Sequence, residues 1–262
     1  MWGMLHGLLG RIRKKNPKTR YLIPEGRLVY AIGDIHGRAD LLKELHTTII
    51  NHGSKHPGKT RTIVYLGDYI DRGPYSSQTL DQLIHNRPDG FECIYLQGNH
   101  EEMLLEFLDN PSLLNLWLSL GGQSTLLSYG IQPPASGFDP ERTRETLCDF
   151  LEVLPAEHLV FLKGLVSHFK VGDYLFVHAG ILPGTPLQKQ SRRNMLWVRD
   201  DFLGSNIDHG FKVIHGHTIF QTVSSHHNRI GIDTGAYASG VLTCAVLEED
   251  RVEFLSTGEP AD

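Results

Sequence analysis

The chain has 262 residues, 40% of them hydrophobic, with 27 glycines and a formal net charge of −5. That apolar share excludes intrinsic disorder and a disulfide-stapled miniprotein, and the length allows one large α/β domain or two small ones. Residues 1–20 hold six basic side chains and no acid, so the rest of the chain is markedly acidic, which disfavours a nucleic acid duplex as partner.

Cys93, Cys148 and Cys244 form no C-x-x-C pair, which suits a reducing compartment and excludes a thiolate zinc site. No run reaches the length of a membrane span, and the N-terminal basic residues follow the apolar ones, the reverse of a secretory leader. The expected location is cytoplasmic. Met1, Trp2, Met4, Leu5, Leu8, Leu9 and Ile12 can share one helical face ending in the basic cluster, the composition of an anchor lying in a membrane surface. A frayed basic tail or a short packed helix are the alternatives. Residues 1–25 are read as this tail and 26–262 as a single domain, since no repeat or linker divides the chain.

Five short apolar, β-branched or aromatic runs end abruptly in glycine or polar residues, which reads as buried strands delivering side chains at their C-terminal ends. They are Leu28 to Asp34, Thr62 to Asp68, Cys93 to His100, Tyr174 to His178 and Phe211 to His217. Leu41, Leu42, Leu45 and Ile49 have helical spacing between the first two, and Leu80, Leu83 and Ile84 follow Ser76 between the next two, so these are βαβ units. Residues 101–165 read as a helical insertion: Glu101 to Leu108, a stretch around Leu113 to Leu120, and Glu141 to Leu154 opened by Asp139 and Pro140. Arg229 to Asp233, Val241 to Leu247 and Val252 to Leu255 look like antiparallel strands completing a second sheet.

Ligands of open α/β sheets bind outside the carboxyl ends of the strands, so the five polar termini can converge on one crevice. Asp34 and His36 in Gly-Asp-Ile-His-Gly can chelate one cation, or form an Asx-type turn. Gly67-Asp68-Tyr-Ile-Asp71-Arg72-Gly73 adds two carboxylates and a guanidinium, or a surface ion pair. Gly98-Asn99-His100-Glu101 places an amide and an imidazole at a strand-to-helix turn, where asparagine also serves as a cap. His178, His215 and His217 complete the set. Each has an ordinary structural explanation alone, but five strand ends all bearing O and N ligands do not arise by accident. Gly53 to Thr60 spells a phosphate-loop signature, G-x-x-x-x-G-K-T, yet it follows a helix and precedes a strand, the wrong flanks for binding phosphate.

The intact Gly-Asp-x-His-Gly, Gly-Asp-x-x-Asp-Arg-Gly and Gly-Asn-His-Glu boxes, followed by Val-His178-Ala-Gly and Gly-His217-Thr, resemble the phosphoprotein phosphatase branch of the metallophosphoesterases. The resemblance covers about residues 28–247 and is nearest the short bacterial and phage members, which include Ser/Thr protein phosphatases and symmetrical diadenosine tetraphosphatases. It implies a four-layered α/β/β/α sandwich of two mixed sheets and a two-metal site. On this resemblance Asp34 and His36 hold one metal, Asn99, His178 and His217 the other, and Asp68 bridges them. Oxygen and imidazole donors without thiolate suit Mn²⁺, with Fe or Zn²⁺ as alternatives. A hydroxide shared by the metals would attack phosphorus in line. Arg72 and Arg199 would clamp the phosphate, and His100, oriented by Asp71, would protonate the leaving group. His215 is read as packing or as support behind His217, and Asp233 as a turn-stabilising carboxylate. The expected function is a phosphoserine/phosphothreonine protein phosphatase. A dinucleoside polyphosphate hydrolase and a non-catalytic phosphate-binding scaffold are the alternatives.

Overall fold

Runs such as Val29–Ile32 and Tyr174–Val177 are apolar at every position, and a strand of that kind must be covered on both faces. The computed structural model, which describes residues 20–135 and 139–258, covers them by stacking two five-stranded sheets. The first has the order β10-β9-β1-β2-β3 and contains β1 (Arg27–Ile32), β2 (Thr60–Tyr65), β3 (Phe91–Tyr95), β9 (Thr243–Glu248) and β10 (Arg251–Ser256). Here β1, β2 and β3 run parallel, and the C-terminal hairpin β9-β10 adds antiparallel pairing beside β1. The second has the order β4-β5-β6-β8-β7, from β4 (His168–Val171), β5 (Tyr174–Val177), β6 (Lys212–His215), β7 (Ser224–Ser225) and β8 (Arg229–Gly231). Its central strands β5, β6 and β8 are parallel.

The two-residue period of each strand sorts the core into layers. Val29, Ala31 and Val64 face inward against Phe176, Ile214 and Ile230 of the opposite sheet. Leu28, Tyr30, Ile32 and Tyr65 face outward under α1 (Ala39–Ser54) and α2 (Ser76–His85). On the far side Leu175, Val177 and Val213 are covered by Met195 of α8 (Arg192–Trp197) and Phe202 of α9 (Asp200–Leu203). This is the α/β/β/α sandwich of two mixed sheets that the motifs implied.

Between β3 and β4 the described chain forms α3 (Asn99–Asp109), α4 (Leu114–Trp117), α5 (Gln123–Ser128), α6 (Pro140–Val153) and α7 (Ala156–Lys163). Phe107, Trp117 and Phe150 carry these helices onto the outer face of the first sheet. Asp139 caps α6 as expected, its carboxylate accepting the amides of Glu141 and Arg142. The stretch expected to be helical around 113–120 is so: the chain stays helical from Leu114 through Leu120 and kinks at Gly121, which sits at φ 116, a conformation open to glycine, with Gly122 against the Trp117 ring.

The last strands depart further from expectation. Only β8 joins the second sheet, and it pairs parallel to β6; β9 and β10 belong to the first. The reason is burial: Ala245 and Leu247 fill the space between the sheets while Cys244 and Val246 pack on the helical side, so β9 requires a central position with cover on both faces. Of the tail expected over 1–25, residues 1–19 lie outside the described residues. Tyr21 and Ile23 are buried in the inter-sheet core, and the Ile23 amide donates to the Glu249 carbonyl at 2.8 Å. Among the described residues no helix is long and apolar enough to cross a membrane.

Phe176 is fully buried between the sheets. The variant Phe176→Ala should therefore lose about 3–5 kcal/mol of stability in urea unfolding, whereas Val160→Ala, at a side chain 70% exposed on α7, should change it by no more than about 0.5 kcal/mol.

Candidate active site

The expected metal ligands and His100 each lie just beyond a strand. Asp34 and His36 follow β1, Asp68 follows β2, Asn99 and His100 begin α3 after β3, His178 follows β5, and His217 follows β6. The carboxyl ends of the two sheets meet at one rim, and all seven side chains are buried there. Bringing them together distorts the backbone. His36, Asp68, Asp71, Arg72 and His217 all have positive φ, between 47° and 70°; Glu249 alone among the described non-glycine residues does so elsewhere. Such conformations persist only where surrounding structure enforces them, and they cluster at functional sites. Two glycines supply the room: a Cβ on Gly98 would lie 2.0 Å from Asp68 Oδ1, and one on Gly216 would lie 2.0 Å from Asp34 Oδ1.

Asp68 is the centre of the arrangement. Its Oδ2 is 3.5 Å from His36 Nε2 and 3.8 Å from His100 Nε2, while its Oδ1 is 3.4 Å from His178 Nε2. Two groups of potential ligand atoms result, His36–Asp68–His100 and Asp68–His178–His217, each spanning no more than 4.8 Å and sharing Asp68. Asn99 belongs with the second group, since its Oδ1 lies 2.9 Å from His178 Nε2 and 2.7 Å from His217 Nδ1. Asp34 is in neither group; its carboxylate accepts the His217 amide at 3.0 Å. Ring orientation is fixed from behind: His36 Nδ1 donates to the Ile70 carbonyl and His178 Nδ1 to the Leu66 carbonyl, both at 2.9 Å.

The electrostatics are those of a site built around positive charge. Burial would raise the Asp68 carboxyl, yet His178, His100 and His36 hold it well below the ordinary range. Asp34 goes the other way, driven up by burial and by the neighbouring carboxylates Asp233 and Asp68. Asp233 stabilises its turn as expected, one oxygen accepting the Gly235 amide at 2.9 Å, and His100 Nε2 is buried with no hydrogen-bond partner among the described residues. Three carboxylates gathered out of water are costly unless a cation compensates them. The oxygen and imidazole donors here, with no thiolate, fit a divalent metal of the Mn²⁺, Fe or Zn²⁺ kind.

The Asp71–His100 pair was expected; its supports were not. His100 Nδ1 donates to Asp71 Oδ2 at 2.7 Å, and the same carboxylate accepts from Trp117 Nε1 at 3.1 Å and from Thr125 Oγ1 at 2.6 Å. Burial would lower the His100 pKa, but Asp68 and Asp71 raise it on balance, which favours the imidazolium. The motif alone gives Glu101 no role. Its carboxylate accepts the backbone amides of Asp68, Tyr69 and Gly98 at 2.9, 2.7 and 2.9 Å and so holds the Asp68 loop against α3. Glutamate at the third position of a helix was the available signal.

The two arginines each reach one group. Arg72 Nη1 donates to His36 Nε2 at 3.0 Å, and Arg199 Nε donates to His217 Nε2 at 2.9 Å. His215 is fully buried against Phe202 and stays behind the site. The stretch from Gly53 to Thr60 runs from the end of α1 into β2, and Lys59 pairs with Glu248, so the phosphate-loop signature has no helix N-terminus to serve it.

A profile of the calcineurin-like phosphoesterases matches residues 28–245. Among curated proteins the chain is similar to bis(5'-nucleosyl)-tetraphosphatase PrpE [asymmetrical] of Halalkalibacterium halodurans, at 24% identity over 86% of this chain and 91% of the relative. It is also similar to serine/threonine-protein phosphatase 2 of Escherichia coli, at 29% identity over 87% of this chain and 97% of the relative. Among solved structures a cold-active protein tyrosine phosphatase has the same fold, with a TM-score of 0.59 and 19% identity over 89% of this chain and 79% of that one. The matched span runs from the first residues of β1 into β9 and takes in every strand-end residue described above, and the chain belongs to the calcineurin-like phosphoesterase family, metal-dependent hydrolases of phosphate esters.

Proposed function

We propose that the chain is a phosphomonoesterase with two metal ions, acting on phosphoserine or phosphothreonine in proteins. The observation that carries this reading is the buried Asp71–His100 pair, whose free Nε2 lies 3.8 Å from Asp68 Oδ2. A serine or threonine alkoxide is a poor leaving group and needs a proton as the bond to phosphorus breaks, whereas a polyphosphate leaves as a stabilised anion and needs one far less. A positioned imidazolium therefore favours the alkyl ester. A non-catalytic scaffold would have no use for it.

In this reading Asp34 and His36 would hold one cation, Asn99, His178 and His217 the other, and Asp68 both. The metals would supply Lewis-acid polarisation of the phosphoryl oxygens and acidify water. Arg72 and Arg199 bring planar guanidinium forks to the mouth of the site, where they bind the equatorial phosphate oxygens and offset charge that grows in the transition state. His100 gives up its Nε2 proton to the departing oxygen while Asp71 holds its Nδ1–H. Buried behind Trp117 and Thr125, Asp71 is shielded from water and keeps the imidazole in one orientation.

The relatives carry two names, phosphatase and tetraphosphatase, and assaying Mn²⁺-loaded protein on a phosphothreonine peptide and on diadenosine tetraphosphate, each with and without chelator, separates them. Peptide turnover that exceeds tetraphosphate turnover and is abolished by chelator is expected; the reverse preference contradicts the proposal. The variant His100→Asn should keep its metal content by elemental analysis. It should lose about 10²- to 10⁴-fold in kcat on the peptide but about tenfold or less on p-nitrophenyl phosphate, whose leaving group needs no proton. Equal losses on both would remove His100 from the role of acid.

A further inference from the structure

The guanidinium of Arg72 is held in an unusual way. Its backbone is fixed by the insertion: the Arg72 amide donates to the Gly121 carbonyl at 3.1 Å, and Ser124 Oγ donates to the Arg72 carbonyl at 3.0 Å. Gly121 passes so close that a Cβ there would lie 2.7 Å from Arg72 Cγ, so the base of the side chain has one path. The charged end has two partners, His36 Nε2 at 3.0 Å and the face of Tyr237, with Cζ 5.1 Å from the ring centroid. Among the described residues no carboxylate pairs with it, so its charge stays available to an anion.

One of the two partners is temporary under the proposed function, on which this inference rests. His36 Nδ1 donates to Ile70, which leaves Nε2 as the lone-pair nitrogen, and that atom belongs to the His36–Asp68–His100 group. His36 would give that lone pair to a cation held there, and Arg72 would then lose its bond to His36. Tyr237 is what remains. It stands on α10 (Ala236–Ser239), a single turn set between Gly235 and Gly240, both left-handed at φ 68 and 75. Arg38 Nη1 donates to the Ala236 carbonyl at 2.9 Å and pins that turn to the start of α1. The Tyr237 ring also meets His36 edge to face at 5.5 Å, so one aromatic surface borders both the imidazole and the guanidinium.

We infer that Tyr237 is a positioning residue for phosphate recognition: its ring face carries the Arg72 guanidinium at the mouth of the site when His36 binds a cation. The ring face attracts the cation through its quadrupole and leaves all five N–H donors free, which a carboxylate partner would not do. Any aromatic side chain at this position suffices, because the attraction comes from the ring and not from the hydroxyl.

The test uses the full chain loaded with Mn²⁺ and inorganic phosphate as the probe. Tyr237→Leu should raise the inhibition constant of phosphate and the KM for p-nitrophenyl phosphate together by about two- to tenfold. Bound Mn²⁺ per chain should stay near the parent value, and Tyr237→Phe should behave like the parent. Unchanged phosphate inhibition in Tyr237→Leu, or losses in Tyr237→Phe equal to those in Tyr237→Leu, overturns the inference while leaving the proposed function standing. A parent protein that binds Mn²⁺ but is not inhibited by phosphate overturns both.

Discussion

A carboxylate taken out of water needs positive charge beside it, and Asp68 is such a group at the point where the two sheets meet. Its environment is organised to compensate it. Imidazoles approach both oxygens, the His100 amide donates to Oδ1, and the backbone at Asp68 itself is turned to φ 53. Glu101, its pKa pushed up to about 7 by burial and by Asp68, holds that turn by accepting successive amides. Asp34 and Asp233 add carboxylates to the same volume. Both nearby arginines donate to histidines rather than to these carboxylates. The arrangement makes physical sense as one that divalent cations complete.

The fold serves that constraint. Parallel strands in both sheets direct their carboxyl ends to one rim, so short segments from five strands reach a common point without long loops. The insertion between β3 and β4 then adds what strand ends cannot. Trp117 and Thr125 close around Asp71, and Gly121 and Ser124 fix the backbone of Arg72. An element that resembles a lid over one sheet is therefore part of the support of the proposed acid and of one proposed phosphate clamp. Changes in the insertion should be felt in the chemistry as well as in the choice of substrate.

The sequence was most legible where chemistry and secondary structure are encoded in the same few residues. A run such as Thr62 to Asp68 announces a buried strand, its end and a ligand together, so β1, β2, β3, β5 and β6 and the residues after them could be read directly. Contacts made across the chain left no such trace. Trp117 and Thr125 lie 46 and 54 residues from Asp71, and in the sequence they look like any apolar and any polar helix residue. The placement of β9 was misread for a related reason: strand pairing is decided by which faces need cover, and Cys244 to Leu247 is apolar on both. The stretch after Leu113 has helical composition and is helical, but the kink that ends it at Gly121, φ 116, serves a contact with Arg72 that only the folded chain reveals.

The proposed function requires Asp68 to be shared by two cations. Anomalous scattering from crystals grown with Mn²⁺, recorded across the manganese edge, reads this directly. Two peaks should flank the Asp68 carboxylate, about 3.5–4 Å apart, one beside His36 and the other among Asn99, His178 and His217. A single peak, or peaks that leave Asp68 without a metal neighbour, would contradict the account.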